Sequence, residues 1–221
     1  MFLHVKNVLT PAEVATVVQL ARTASFVDGR ISNPQNLSKS NLQVDPSDKA
    51  GQQASEIAAA ALQRNDEVNN FVLLKRMARP MLARYEVGMK YGTHSDSAFL
   101  PTQPQPLRSD VSCTIFISDP ASYAGGELAV HLGTETVKIK GEPGSAVFYP
   151  STTLHEVVPV SSGTRIVILT FIESVVPDQA QRELLHHLNE VYALEGLKMD
   201  WANRVRLAHV SQSLLRMWSV Q

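Results

Sequence analysis

Two histidines and one aspartate are spaced so that they could build a metal site. His94 and Asp96 are separated by one residue in a stretch that follows a predicted strand. Because side chains alternate along an extended backbone, both can point to the same side. His155 begins a later predicted strand and is the obvious third donor. Two imidazoles and one carboxylate form a face that leaves open positions on a metal, as in non-haem Fe(II) sites.

The other histidines lack such a setting. His4 and His209 are isolated, and His131 is interpreted as a packed or surface residue of a predicted strand. His186 and His187 are neighbours on a predicted helix, where adjacent side chains point in different directions. An H-x-D pattern alone occurs often by chance, so a metal site at His94 and Asp96 needs independent support.

Arg165 supplies that support, because it stands ten residues after His155 at the start of the apolar run 166–171. A cation buried at the end of a core strand is costly unless an anion pairs with it. One hairpin from His155, Arg165 could clamp a carboxylate of a metal-chelating cosubstrate. A strand-end arginine in solvent is the alternative interpretation.

Longer motifs carry a family resemblance. The run RYEVGMKYGTHSD at 84–96 resembles the Y-x-x-G-x-x-Y-x-x-H-x-D segment of Fe(II)/2-oxoglutarate-dependent dioxygenases of the prolyl-4-hydroxylase type. ISDP at 117–120 and SYAGGEL at 122–128 resemble the strand and turn that follow in that family. YPSTTLH at 149–155, with Arg165, resembles its distal ligand and cosubstrate arginine. Over nearly its whole length the chain is similar to bacterial PKHD-type hydroxylases, including FVDGR at 26–30 and WS at 218–219.

The resemblance implies a mostly β fold with flanking helices, built on a double-stranded β-helix (jelly-roll) core. It implies Fe(2+) held by His94, Asp96 and His155. It further implies 2-oxoglutarate held by Arg165 and reached by Tyr85, with L-ascorbate as a reductant. The implied reaction consumes molecular oxygen, hydroxylates a substrate, and releases succinate and carbon dioxide.

Two further positions refine this implication. Related enzymes that halogenate carry a small residue in place of the aspartate, so Asp96 favours hydroxylation. Phe116 stands on a strand where other prolyl hydroxylases carry a further tyrosine, so any such contact is absent or displaced here. The primary substrate is a peptide or a small molecule, and the family name suggests peptidyl proline or lysine.

Two other classes of protein compete with this interpretation. A non-catalytic β-helix module that binds an acid or a sugar would be expected to lose a metal ligand or Arg165, and neither is lost. A metal-dependent hydrolase could hold zinc with the same three ligands. It would need a nearby general base and has no evident use for Arg165.

Composition sets outer limits on function. The 221 residues carry 20 Lys plus Arg against 21 Asp plus Glu, so a nucleic-acid-coating surface is disfavoured. The apolar runs are shorter than the ~20 residues that cross a bilayer, and the N-terminus lacks a signal-peptide pattern, which predicts a cytoplasmic protein without a membrane segment. The single cysteine, Cys113, rules out an internal disulfide and a Cys-rich zinc module.

These residues must be positioned by three predicted regions. Residues 1–77 are predicted to form a helical region that packs on the core, 78–174 the β-helix dioxygenase domain, and 175–221 a C-terminal helical region. In the first region, TPAE at 10–13 and DPSD at 45–48 each predict a helix start, since both offer an N-cap and an early proline. Residues 33–43 are interpreted as a polar loop and residues 69–77 as helix.

The later regions show different periodicities. Short apolar runs predict strands at 81–87, 111–117, 127–132, 136–139, 145–149 and 165–172. The run 101–106 predicts an exposed connection which, with the loop at 33–43, flanks the presumed entrance and should select substrate. A helix after residue 178 is expected to bury Leu184, Leu185, Leu188 and Val191. A last helix at 201–218 carries tryptophans that could bury the surface of a homodimer.

Overall fold

The computed structural model describes residues 2–220. Its helices lie at the two ends of the chain: α1 Pro11–Thr23, α2 Lys49–Gln63, α3 Asp66–Val72, α4 Gln179–Glu195 and α5 Trp201–Trp218. Short 3-10 turns occupy Gly29–Ser32 and Pro120–Ser122. Between and among the helices the chain is mostly extended.

The strands begin before the first helix and fill the middle of the chain. The first nine are β1 Leu3–Val5, β2 Phe26–Asp28, β3 Lys39–Ser40, β4 Leu42–Val44, β5 Leu74–Met77, β6 Met81–Tyr85, β7 Lys90–His94, β8 Phe99–Leu100 and β9 Leu107–Arg108. They are followed by β10 Val111–Phe116, β11 Ala124–Gly125, β12 Leu128–Leu132, β13 Glu135–Ile139, β14 Ala146–Pro150, β15 His155–Val157, β16 Val160–Ser162 and β17 Arg165–Ser174. Each of the six strands predicted from apolar runs is present, with ends shifted by one or two residues.

Two antiparallel sheets form the core. The larger sheet has the order β1-β14-β10-β17-β6-β4-β2, with β5 also paired to β17. The smaller sheet has the order β13-β12-β15-β7-β3. Buried side chains from both sheets, among them Val147 and Val167 from the larger and Leu128 and Val157 from the smaller, share one apolar cluster. This sandwich of crossing strands is the predicted jelly-roll core, and it leaves a cavity between the sheets.

The N-terminal helices pack on the outer face of the larger sheet. Val17 of α1 and Ala58 of α2 belong to one buried cluster with Ile115 and Ile168 of that sheet. The helix α1 starts as predicted: the Thr10 side chain accepts a hydrogen bond from the Glu13 backbone, and the Glu13 carboxylate accepts one from the Thr10 backbone at 2.8 Å. The helices therefore support the larger sheet from behind and leave its inner face to the cavity.

Three predictions for the N-terminal region were wrong in part: the start of the second helix, the helix at 69–77 and the loop at 33–43. The second helix begins at Lys49 with Asp48 as its N-cap, because the backbone N–H of Asp45 donates to the Ser25 carbonyl and keeps that residue beside β2. Residues 69–77 split into the end of α3 and strand β5, and the break falls at Leu73, whose left-handed φ of 48° ends the helix.

The segment interpreted as a loop at 33–43 also contains strands. Residues 33–38 are loop, but Lys39–Ser40 and Leu42–Val44 pair into the two sheets. The apolar alternation that usually marks a strand is missing here, because the inward-facing side chains are polar and line the cavity.

The helix α4 begins where it was predicted to begin and α5 has the predicted bounds, but the buried side of α4 was predicted wrongly. Leu185 is buried as expected, whereas Leu184 and Val191 are exposed. The buried face also carries Arg182, which donates to the carbonyls of Val176 and Pro177, and His186. Hydrophobic periodicity cannot mark such a face, because two of its members are polar.

The exposed side of the C-terminal helices is rich in apolar residues. Trp201 is 75% exposed, and Val205 and Leu197 are exposed as well. The homodimer stays a prediction. Within residues 2–220, no helix has the length and apolar character needed to cross a membrane.

Candidate metal centre and active site

Strand pairing brings the two candidate histidines together. His94 at the end of β7 lies opposite His155 at the start of β15, and their ring centroids are 4.3 Å apart. Asp96 follows two residues after β7, with its Oδ1 3.8 Å from His94 Nε2 and its Oδ2 3.7 Å from His155 Nε2. One donor atom from each residue lies within 4.8 Å of the other two. The spacing inferred from the sequence therefore becomes a compact set of three potential ligands.

The backbone fixes which nitrogen of each ring is available. His94 Nδ1 lies 2.8 Å from the Gly92 carbonyl, and His155 Nδ1 lies 2.9 Å from the Thr153 carbonyl. A carbonyl only accepts hydrogen bonds, so each Nδ1 carries the proton and each Nε2 offers a lone pair. Burial and the neighbouring His155 lower the pKa of His94, which favours the neutral form that a metal needs.

A chain of serine hydroxyls holds the carboxylate. Ser112 donates to Asp96 Oδ2 at 2.5 Å, and its oxygen lies 2.8 Å from the hydroxyl of Ser151. Ser109 continues the chain by donating to Ser151 at 2.7 Å. The backbone N–H of Asp96 donates to the Ser151 carbonyl. These contacts orient the carboxylate toward the two histidines, as supporting groups do around known metal sites.

Arg165 is a buried cation that forms no ion pair within residues 2–220. It begins β17 and is 1% exposed, and its Nε and Nη1 have no hydrogen-bond partner among the residues that the structure describes. Burying an unpaired guanidinium is costly, so the site is suited to a carboxylate from outside the chain. The strand-end arginine in solvent is therefore the wrong interpretation of Arg165.

Tyr85 lies beside this arginine. It is directly opposite Arg165 on the adjacent strand β6, and it is equally buried. Burial raises the pKa of the Tyr85 hydroxyl, so the group stays protonated and can donate a hydrogen bond. An arginine and a tyrosine that face the same space provide donors for one carboxylate group.

All five residues predicted from the sequence line one cavity. It encloses about 430 Å³ between the two sheets and contains His94, Asp96, His155, Tyr85 and Arg165 in its wall. This volume lies within the range of sites for small organic ligands. Its other walls include apolar side chains such as Leu128, Val157 and Leu169. The arrangement can hold a metal at one side and a dicarboxylate between the metal and Arg165.

The remaining histidines do not join this cluster. His131 Nδ1 contacts the hydroxyl of Thr136, His186 packs edge-on against Phe71, and His187 lies exposed beside Glu190. Phe116 is buried and does not line the cavity, so it offers no contact there.

The sequence analysis missed several residues of the cavity wall. Tyr91 stacks on His94 with ring centroids 3.7 Å apart. It belongs to the 84–96 motif, but the sequence analysis assigned it no function. The three polar residues Lys39, Asn41 and Gln43 also line the cavity. Polar residues occupy every second position of this segment, whereas a strand usually carries apolar residues there. This alternation could have shown that residues 39–43 are extended.

Fold and site together define a non-haem iron oxygenase of the 2-oxoglutarate-dependent kind. Residues 80–173 match the model of the 2OG-Fe(II) oxygenase superfamily. A PKHD-type hydroxylase of Sphingopyxis alaskensis is 49% identical, with 93% of this chain and 94% of that protein covered. One from Gluconacetobacter diazotrophicus is 34% identical over 100% of both chains. The chain belongs to this superfamily and, within it, to the PKHD-type hydroxylases.

Solved structures confirm the double-stranded β-helix. A Pseudomonas putida prolyl-4-hydroxylase matches with a TM-score of 0.56 at 17% identity, covering 78% of this chain and 92% of that one. A Trichoplax adhaerens prolyl hydroxylase, in complex with a hypoxia inducible factor peptide fragment, matches with a TM-score of 0.57 at 18% identity, covering 83% and 86%. At these identities the structures establish the fold. Family membership makes the protein an Fe(II)- and 2-oxoglutarate-dependent dioxygenase.

Proposed function

We propose that this dioxygenase hydroxylates a peptidyl proline or lysine, with release of succinate and carbon dioxide. In this proposal His94, Asp96 and His155 hold the ferrous ion, and Arg165 with Tyr85 holds the distal carboxylate of 2-oxoglutarate. One observation carries the residue assignment: the Arg165 guanidinium, whose Nε and Nη1 lack a hydrogen-bond partner within residues 2–220, shares its cavity with three convergent metal donors.

The protein residues and the bound groups divide the work between them. Iron and 2-oxoglutarate supply the redox chemistry when bound, since no side chain of the chain can activate oxygen. The two imidazoles offer neutral donors and Asp96 offers one negative charge. Arg165 can fork two parallel N–H groups onto a carboxylate, which fixes both the position and the orientation of a dicarboxylic acid. Apolar side chains such as Leu128, Val157 and Leu169 line the same cavity and reduce the contact of these groups with water.

The competing functions fit the site less well. A zinc hydrolase could use the same three ligands, but it has no task for a buried arginine whose Nε and Nη1 meet no hydrogen-bond partner within residues 2–220. A non-catalytic module has no reason to keep three oriented donors together with the serine chain that supports Asp96. In the proposed assignment the site retains every group that a 2-oxoglutarate oxygenase requires.

The substrate is proposed from the relatives. The matching structures include a prolyl-4-hydroxylase and a prolyl hydroxylase bound to a peptide fragment. Residues 100–102 line the cavity together with Ser32 and Asn33, and because Ser32 and Pro101 are exposed, the opening is placed beside them. An extended peptide lying across this opening could present one side chain to the metal.

Anaerobic absorption spectroscopy tests the proposal directly. Ferrous ion and 2-oxoglutarate added together should produce a visible charge-transfer band that neither produces alone, because only chelation at the metal creates it. Admitting oxygen should then yield succinate and carbon dioxide in equal amounts. A protein that binds ferrous ion but shows no band with 2-oxoglutarate would contradict the proposed site.

A further inference from the structure

The segment 39–43 presents a polar face to the cavity. Lys39, Asn41 and Gln43 alternate along an extended backbone, and they are 5%, 3% and 3% exposed. All three line the cavity, while the intervening Ser40 and Leu42 do not. A strand that covers a core normally turns apolar side chains inward. Here the inward-facing side chains are polar, and they lie buried beside the metal site. The proposed sites for iron and 2-oxoglutarate do not use them.

This segment closes the space between the two sheets. Lys39 in β3 pairs with Tyr91 of β7, the strand that carries His94. Gln43 in β4 pairs with Ala83 of β6, the strand that carries Tyr85. The chain therefore passes from the smaller sheet to the larger one at Asn41. Its inner face borders the cavity next to the strands that carry His94 and Tyr85.

Two of these side chains have unused hydrogen-bonding capacity. The side-chain nitrogen and oxygen of Asn41 form no well-aligned hydrogen bond among the described residues, and the side chain lies beside the Tyr85 hydroxyl. The Lys39 ammonium donates to the Ser32 hydroxyl at 2.7 Å and lies 5.2 Å from the centroid of the Tyr91 ring. Burial lowers the pKa of Lys39 to about 8, so the amine is still mostly protonated at neutral pH. Of the three N–H donors of the ammonium group, one is used in the hydrogen bond to Ser32.

Lys39 also lacks a committed counter-ion. Within residues 2–220 its ammonium forms no ion pair closer than 4.0 Å; the two carboxylates that influence its charge are Asp96 and Asp28. Asp28 is already engaged by Arg30 at 2.7 Å. Asp96 belongs to the proposed metal ligands, so a bound metal ion would take up its charge. A buried cation in this position is costly unless another anion arrives.

A count of charges shows how many anions the loaded cavity can take. Fe(II) would bring two positive charges, and Arg165 and Lys39 one each. Asp96 would bring one negative charge and 2-oxoglutarate two, while the histidines are neutral. One positive charge is left over, and Lys39 is the cation that forms no ion pair within residues 2–220. A single carboxylate on the substrate would neutralise it.

We propose that Lys39 and Asn41 form a subsite for an anionic substrate, so that the molecule to be hydroxylated carries a carboxylate near the reacting carbon. The carboxylate pairs with the Lys39 ammonium, and the Asn41 amide bonds to a neighbouring amide or carbonyl of the substrate. The carboxylate can be the terminal group of a peptide or an acidic side chain. The proposal rests on the function proposed above, because it assigns the space that the metal and 2-oxoglutarate leave.

Nuclear magnetic resonance of the lysine ε-methylene groups tests the subsite without turnover. The full chain is labelled with ¹³C-lysine, loaded with Zn(II) as a diamagnetic replacement, and saturated with 2-oxoglutarate. The Lys39 signal is identified by its loss in Lys39→Met or, if that variant does not fold, in Lys39→Arg. Lys90, an exposed lysine on β7, is assigned through Lys90→Met and serves as the matched control.

The probes are N-acetylglycine, with a free terminal carboxylate, and N-acetyl-aspartate α-methylamide, with a side-chain carboxylate. At least one should shift the Lys39 signal saturably while Lys90 does not respond. The neutral N-acetylglycine methylamide should bind roughly 10-fold to 100-fold more weakly, as expected for the loss of a charge-assisted hydrogen bond. The probe that binds more tightly identifies the source of the carboxylate.

Two results would overturn the subsite. Lys39 would be no anion site if neither carboxylate shifted its signal more than that of Lys90. Lys39 would belong to the cosubstrate site if the probes shifted it only in the absence of 2-oxoglutarate. Binding of 2-oxoglutarate to the metal-loaded protein is measured separately. Its failure would count against the proposed function, whereas its success without a probe response would count against the subsite alone.

Discussion

Arg165 and Tyr85 lie directly opposite each other on antiparallel strands, with the guanidinium carbon 4.9 Å from the centroid of the tyrosine ring. Each is buried, and the ring stabilises the cation without consuming its N–H donors. Two guanidinium nitrogens consequently stay free of partners within the described chain. The pair is a preformed receptor for a carboxylate, and its strand register sets its distance from the metal donors.

Replacing Arg165 with alanine should weaken 2-oxoglutarate binding strongly. Truncating one partner of a buried charge pair costs about 2–5 kcal/mol, which corresponds to roughly 30-fold to a few thousand-fold in affinity. Ferrous binding should change little, because Arg165 is not among the three convergent donors. Calorimetric titration of 2-oxoglutarate into the anaerobic, metal-loaded protein measures the effect.

Two further variants sharpen this test. Arg165→Lys should be intermediate, because it keeps the charge and loses the fork. Arg84→Ala removes a guanidinium from the neighbouring position of the Tyr85 strand, on the side away from the cavity, and should leave the affinity unchanged. Normal 2-oxoglutarate affinity in a folded Arg165→Ala protein would show that the cosubstrate binds elsewhere.

Asp96→Asn should abolish tight ferrous binding while the fold survives, because the substitution keeps the size and removes the charge. His155→Ala should do the same, since its Nε2 is one of the three convergent donors. His131→Ala and His187→Ala are the matched controls and should retain the metal, because neither side chain reaches the cluster. Metal titration with circular dichroism distinguishes loss of a ligand from loss of the fold. If His131 mattered more than His155, the choice of third ligand would be wrong.

Ser112→Ala should lower ferrous affinity by roughly 10-fold to 100-fold, the usual effect of removing a group that orients a metal ligand. Its hydroxyl donates to Asp96 Oδ2 at 2.5 Å, and alanine would leave that oxygen free to turn away. Ser109→Ala removes the far end of the same chain and should have a smaller effect, because Ser109 does not contact Asp96. Competition with a coloured chelator measures both constants. Equal effects of the two variants would argue for a general loosening of the strand rather than for control of Asp96.

Structural features that depend on neighbouring residues, or on a regular sequence motif, could be predicted from the sequence. The capping box of Thr10 and Glu13 is local, so four residues sufficed to predict the start of α1. The triad could be predicted because the motif spacing is tied to strand ends in a family with a known core. The apolar run after Arg165 left both burial and a solvent-exposed strand end open, and the family motif favoured the buried cosubstrate role.

Features that depend on distant neighbours could not be predicted. The side chains of Lys39 and Asn41 point inward because their segment pairs with β7 and β6. The polar composition of this segment is typical of a loop, so a loop was predicted. Arg182 is buried on α4 because two carbonyls before the helix accept its hydrogen bonds. The role of Ser112 depends on Asp96, from which it is separated by a hairpin in the sequence.

Glu13 should make stability depend on pH in the acid range. Its hydrogen bond to Arg64, together with the Thr10 backbone, lowers the pKa of Glu13 from 4.5 to about 2. A group with a depressed native pKa binds fewer protons when folded, so it stabilises the protein above pH 4.5 and loses this effect as pH falls toward 2. The pair is partly exposed, and the expected contribution is about 1 kcal/mol.

Urea denaturation of Glu13→Gln from pH 7 to pH 3 tests this expectation. The difference in unfolding free energy from wild type should be constant near neutrality and should shrink below pH 4.5. Glu56→Gln, at an exposed position of α2, is the control and should show little difference at any pH. A difference for Glu13→Gln that did not change with pH would mean that its carboxylate charge contributes nothing.

Glu173 should hold the connection at 101–106 in place through Arg76. Its buried carboxylate pairs with Arg76 and with Lys75, and Arg76 also donates to the carbonyls of Gln105 and Pro106. Neutralising one partner of a buried pair leaves the other charge uncompensated, at a cost of about 3 kcal/mol. Glu173→Gln should therefore lower stability by about this amount and free the guanidinium from its fixed position.

Hydrogen exchange with mass spectrometry should detect the consequence locally. The peptide covering 98–108 should exchange faster in Glu173→Gln, because the hairpin loses the arginine that ties its carbonyls to β5 and β17. The strands that carry His94 and His155 should keep their protection, since their pairing does not involve Glu173. Glu135→Gln on the exposed strand β13 is the matched control and should leave the 98–108 peptide unchanged. Because Leu100 and Thr102 border the cavity, a loosened hairpin should also weaken substrate binding more than 2-oxoglutarate binding. Unchanged exchange at 98–108 in a destabilised Glu173→Gln protein would mean that Arg76 holds the hairpin without help from the carboxylate.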